Sequence, residues 1–223
     1  SSHYRGGAVY LNDTSAVVAN NTLLNNKAVS GGGFAFAAAD GALVANNIVF
    51  LTKGGCGMAA AAVPGPERLS NLFFANYPAH YSGLDAAPSD IFADPVFVDR
   101  LAGDYRLRPG STAIDQGLNG VFGIGSADYA GLPRVLFESV DIGMHEYAPT
   151  PNAPVVLDDG AYAAVAFPLR ARWSMPPGNP AVPSLPIVEY LYALGTSPSD
   201  PGSGYTVPWT SAGNSQMAEV EVP

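Results

Sequence analysis

The chain has 223 residues, 48% of them hydrophobic, with a formal charge of −9 and a mean hydropathy of +0.13; this excludes global disorder and leaves room for one or two domains with real cores. With 25 Gly, 20 Pro and only 13% charged residues, and with no long 3.6-period stretch, the sequence predicts an all-β chain of short strands and turns. Residues 1–80 carry +1, 81–150 carry −6 and 151–223 carry −4, so no segment is a basic patch and nucleic acid is not an expected partner.

Read in chain order, the sequence soon repeats itself. A shift of 26 lays Gly6-Gly7-Ala8-Val9-Tyr10-Leu11 over Gly32-Gly33-Phe34-Ala35-Phe36-Ala37, and Asn20-Asn21-Thr22-Leu23-Leu24 over Asn46-Asn47-Ile48-Val49-Phe50. Ser70-Asn71-Leu72-Phe73-Phe74 follows 24 residues later, after a less regular stretch in which Pro64 and Pro66 predict a bulged loop. Repeats of about 20 to 50 residues mark solenoids, and short β-prone runs between Gly and Asn corners mark a β-solenoid. In such coils equivalent residues stack about 4.8 Å apart, so Asn21, Asn47 and Asn71 are expected to form one amide ladder at a shared corner.

These residues carry a family resemblance. Residues 6–77 look like the last coils of a right-handed parallel β-helix of the pectate lyase-like superfamily. The stretch "FADPVFVDRLAGDYRLRPGSTAIDQGLNG" (92–120), with "DYAGLPR" (128–134) and "VDIGMHEY" (140–147), resembles the terminal module of bacterial choice-of-anchor Q domain-containing proteins. The one departure is "HEY", where an aromatic-Glu pair such as "YEY" would fit the pattern. The resemblance implies β-helix coils over 1–81 and a C-terminal cap module over 82–147, which would cover the open edge of the last rung. "APTPNAP" then reads as a Pro-rich linker at 148–154.

Beyond the linker the pattern changes to longer alternating strands, "LRARWS" (169–174), "IVEYLYALG" (187–195) and "YTVPWTS" (205–211). The placement of Trp173 and Tyr190 resembles a fibronectin type III β-sandwich over 155–223, with its last two strands missing.

Several groups are candidates for chemistry. Lys27 and Lys53 fall at one place on adjacent rungs, with Tyr77 24 residues further on, so a uronate carboxylate could meet the ammonium groups and a sugar ring the tyrosine. The simpler reading, which the sequence favours, is a pair of solvated lysines that keep an exposed sheet face soluble. Asp94, Asp99 and Asp104 recur every five residues and are the candidate oxygen ligands for calcium, although Asp at turns commonly binds its own backbone. Asp115, Asp128 and Asp141 are assigned turn and cap roles, and Cys56 in "GGCG" reads as a packed residue. His80 reads as a surface or turn residue, and the sequons at Asn12 and Asn20 as incidental.

No catalytic residue is assigned. The leading expectation is a non-catalytic part of a secreted or cell-surface bacterial protein that contacts a polysaccharide or cell-surface glycan, with the sandwich as spacer and no cofactor. The alternatives are the end of a polysaccharide lyase or glycoside hydrolase whose active coils lie upstream, and a stalk that self-associates through an open first rung at Tyr10 and Phe36. No run of 18 apolar residues predicts a membrane span, and no signal peptide is read; an absent leader in a chain that opens inside a repeat without Met says little about secretion.

Overall fold

The computed structural model describes residues 5–61, 65–121, 125–149, 155–158, 169–174, 189–195 and 205–220, and is all-β over them. Pro64 and residues 150–154 of the expected linker lie outside the described residues. Two compact units divide the chain, Ser1–Tyr147 and Ala148–Pro223.

The first unit is built from short strands that recur in threes. β1 (Val9–Asn12), β2 (Val17–Ala19) and β3 (Thr22–Leu24) are followed by β4 (Phe34–Ala37), β5 (Leu43–Ala45) and β6 (Ile48–Phe50), then by β7 (Met58–Ala60), β8 (Glu67–Leu69) and β9 (Leu72–Phe74), with β10 (Tyr81–Ser82) after them. They pair in parallel as β1-β4-β7-β10, β2-β5-β8 and β3-β6-β9, so each successive triplet adds one strand to each of three sheets. Between the sheets the apolar residues of alternate positions meet: Leu11, Phe34, Phe36, Val44, Val49, Met58 and Phe73 form one buried cluster. Each of the large side chains fully buried here contributes about 1.5–3 kcal/mol.

The register corrects the glycine alignment read from the sequence. β2 and β3 meet the next rung at an offset of 26, as Val17↔Leu43 and Thr22↔Ile48, but β1 meets β4 as Val9↔Phe34, an offset of 25. Gly6 therefore corresponds to Gly31, not Gly32, and both take positive φ, +67° and +65°. The residue that restores 26 sits in the loop at 38–42, one longer than its counterpart at 13–16. The physical reason is facing: at offset 25 Leu11 stacks on buried Phe36, whereas a one-residue slip would put it on Ala37 and turn the strand's apolar side away from the core.

Corners between strands are made by residues in the left-handed region. Asn20, Asn46 and Ser70 have φ of +56°, +56° and +50°, and Asn25, Leu51 and Ala75 have +57°, +54° and +50°. Asn tolerates this conformation, while Leu and Ala adopt it at a cost of about 1–2 kcal/mol. The recurring Asn is thus one backbone corner made on successive rungs.

Residues 78–92 and 94–147 divide the role expected of one cap. Tyr81 pairs with Met58, Ile91 bridges Leu72, and Phe92 stacks on Phe73 at 6.0 Å, so this short segment covers the last rung. The hairpin of β11 (Phe97–Asp99) and β12 (Asp104–Leu107) and the strand-poor chain to 147 run instead along the outer face of the β3-β6-β9 sheet. Phe97 meets the Phe50 ring edge-on at 5.8 Å, Gly143 N donates to Asn46 O at 2.9 Å, and Met144 N donates to Thr22 Oγ1 at 3.2 Å. That side layer explains why all three residues of β6 are buried: Val49 faces the interior, and Ile48 and Phe50 face the layer.

The second unit contains β13 (Val155–Asp158), β14 (Leu169–Ser174), β15 (Tyr190–Gly195), β16 (Tyr205–Gly213) and β17 (Met217–Val220), paired antiparallel as β13-β14-β17 and β15-β16. The sequence predicts strands at β14, β15 and β16; β13 and β17 are additions. The Trp173 ring lies 5.6 Å from that of Tyr190 and 6.4 Å from that of Tyr192.

Candidate functional site

The rung register places the two lysines and the tyrosine in one column. Lys53 N donates to Asn26 O at 2.9 Å and Tyr77 N donates to Thr52 O at 3.0 Å, so positions 27, 53 and 77 follow the same step from rung to rung. Adjacent members stand about 4.8 Å apart in the backbone. Both lysines are exposed, Tyr77 is 70% exposed, and the Lys27 stem lies 3.7 Å from where a Cβ on Gly54 would stand. Neither ammonium has an ion-pair partner among the described residues. The column can therefore offer two hydrated cations and an aromatic ring to one ligand.

Just before the column the backbone is fixed from within. Asn76 Oδ1 accepts from Thr52 N at 3.0 Å, and Asn76 Nδ2 donates to Val49 O at 2.8 Å. Asn76 also meets His80 Nδ1 at 3.1 Å, so the histidine supports this corner, and its burial lowers its pKa.

The neighbouring corner holds the ladder. Asn21 Nδ2 donates to Asn47 Oδ1 at 3.0 Å and Asn47 Nδ2 to Asn71 Oδ1 at 3.1 Å, while the same acceptors receive the backbone N–H of Asn21 and Asn47. Asn71 N then donates to Asp90 Oδ1 at 3.3 Å, which ends the ladder on a carboxylate. Ser89 joins it, since its hydroxyl accepts from Ser70 N. The Tyr81 hydroxyl donates to Asp90 Oδ2, and burial followed by that bond pushes its pKa up. These residues are architectural: they satisfy backbone groups inside a corner.

The three aspartates read as calcium ligands do not converge. Asp94 Oδ1 accepts from Val96 N, Asp99 Oδ1 accepts from Leu101 N and Ala102 N, and Asp104 takes both Nε and Nη2 of Arg106, at 2.9 and 2.6 Å. Arg106 holds the Asp104 carboxyl down at about 2. Among the described residues no three acidic, imidazole or thiol groups cluster as a metal site. Each carboxylate is used by its own turn or by the neighbouring arginine.

The side layer hides a buried ionic network. Arg134 Nη1 donates to Glu146 Oε1 at 3.2 Å and to Gly143 O at 3.1 Å, and Glu146 Oε2 accepts from Asp141 N at 3.0 Å. Asp141 accepts from Asp115 N and from Tyr147 N, and Asp128 from Ala130 N, Leu132 N and Glu146 N. Asp115 in turn accepts from Glu138 N and Ser139 N. Burial raises Asp141 to about 6 and Glu146 to about 7, the latter also through the Asp141 charge. His145, 3.7 Å from Asp128, is lowered by its burial.

Arg134 and Glu146 were not singled out from the sequence, although both stand in the quoted motifs. An arginine and a glutamate twelve residues apart, either side of Asp141, were the available signal. Cys56 is buried with φ of +69°, in line with a packed residue, and Asn20 is buried against Asp141 O.

No family model, curated protein or solved structure matches this chain.

Proposed function

We propose that residues 1–147 are the end of a right-handed parallel β-helix of the choice-of-anchor Q type, part of a secreted or cell-surface bacterial protein, and that the Lys27-Lys53-Tyr77 column is a glycan-contact surface. The carrying observation is the column itself: two unpaired cations and a ring presented at one rung step, on a backbone fixed by the Asn76 bonds. Such spacing suits a uronate, whose carboxylate needs cations and whose ring needs an apolar face. The role is non-catalytic. Asp141, Glu146 and Asp128 accept from backbone amides inside the side layer, which supports an architectural use of the carboxylates rather than acid-base work. Residues 155–223 serve as a fibronectin type III-like spacer.

An array of neutral and uronate-bearing glycans, probed with the native chain and with Lys27→Ala/Lys53→Ala, tests this. We expect uronate binding that the double variant loses while its circular dichroism is unchanged; equal binding by both, or none by either, overturns the reading.

A second reading rests on the first rung. Among the described residues β1, β2 and β3 each pair on one side only, and Tyr10 and Val17 are 45% and 41% exposed; Phe36, expected on this open rung, lies instead on β4 of the next one and is buried, because it faces the core beside Leu11. Stacking of a second copy on this edge would make a stalk. Sedimentation over a range of concentrations decides it: a rising mass supports the stalk, and a constant monomer rejects it.

A further inference from the structure

We propose a second carbohydrate site in the side layer, a cleft of about 540 Å³ lined by Asp104, Tyr105, Arg106, Tyr129, Met144 and His145, which takes a neutral sugar ring against Tyr129. It shares only its ligand class with the glycan-contact reading above and uses a different surface.

Tyr129 is the platform. It is 78% exposed, yet its backbone is fixed: its N–H donates to Met144 O at 3.0 Å, and Asp128 Oδ1 locks the loop by accepting from Ala130 N and Leu132 N, each at 2.8 Å. One side of the ring meets His145 edge-on at 5.5 Å and 90°. A ring carried on a fixed loop, met at one edge and otherwise open, needs less ordering to bind the C–H face of a pyranose.

The polar rim sets the class of sugar. Arg106 and Asp104 form a two-point pair whose remaining guanidinium N–H groups and carboxylate lone pairs alternate as donors and acceptors, the pattern that adjacent hydroxyls require. Because Asp104 neutralises Arg106, no free cation is left for a carboxylate, and residues 81–150 carry −6 overall. Burial lowers the His145 pKa, which weakens it as a cation for a carboxylate. A uronate is therefore the wrong ligand here, in contrast to the lysine column.

Calorimetric titration of the whole chain with cellotetraose, mannotetraose and galactotetraose, beside trigalacturonate, tests the site. We expect at least one neutral tetrasaccharide to bind, Tyr129→Ala to weaken it about tenfold, the change that one lost ring contact with its buried area produces. Arg106→Ala should also weaken it, Tyr129→Phe should retain it, and Lys27→Ala/Lys53→Ala should leave it unchanged. Tyr129 and Arg106 are exposed, so unaltered melting temperatures should accompany these changes. No binding of any neutral tetrasaccharide, binding indifferent to Tyr129→Ala, or neutral binding that the lysine variant abolishes overturns the proposal; trigalacturonate binding that only the lysine variant abolishes belongs to the column.

Discussion

At the scale of single residues, the buried amide of Asn47 concentrates the most bonding. It joins three rungs by accepting from Asn21 and donating to Asn71, Val18 O and Ala45 O. Removal leaves several buried groups without partners, each costing about 1–3 kcal/mol. We expect Asn47→Ala to destabilise the chain by roughly 3 kcal/mol in urea denaturation followed by circular dichroism, while exposed Asn12→Ala stays within about 0.5 kcal/mol. Glu146 gives a second residue-level effect. Its pKa is raised from 4.5 to about 7, so the folded chain holds a proton that the unfolded chain has released; the associated stability is full below about 4.5 and is lost as pH rises through about 7. His80 and His145 act oppositely below 6.5, so the comparison must isolate Glu146. The melting-temperature advantage of the native chain over Glu146→Gln should shrink between pH 4.5 and pH 7. The Asn corner was legible because the pair recurs with β-prone residues after it. Its last member was not: Ser89-Asp90 stands 19 residues after Ser70-Asn71 and lacks an Asn, so neither period nor composition marks it.

At the scale of elements, the repeat was readable and its register only partly so. The Asn blocks keep offsets of 26 and 24, but glycine runs are self-similar, and Gly6-Gly7 fits Gly32-Gly33 by letter as well as it fits Gly31-Gly32 by structure. What fixes the choice is core facing, which pairs Leu11 with Phe36. The place of the side layer was not legible, since alternation in "DYRLRPGS" shows an edge strand without showing which face it covers. Gly143 tests that placement. Its φ is +106°, and a Cβ there would lie 2.7 Å from Ile48 Cδ1 and 2.9 Å from Thr22 Oγ1. Gly143→Ala should cost about 1–3 kcal/mol and raise hydrogen exchange at Gly143 and Met144, whose amides bond to the sheet. Unchanged exchange would mean that the layer does not rest on β3 and β6.

At the scale of the whole molecule, charge and shape belong to different parts of the chain. The coil residues 1–80 are nearly balanced at +1 and present the lysine column, while 81–150 carry −6 and include the Tyr129 cleft. The proposed glycan surface, two cations and a ring on a parallel stack, is tested most directly by nuclear magnetic resonance of the isotope-labelled whole chain titrated with trigalacturonate. Amide shifts gathered at residues 26–28, 52–54 and 76–77 are the expected result; no shifts, or shifts confined to other residues, would contradict the column as the contact surface.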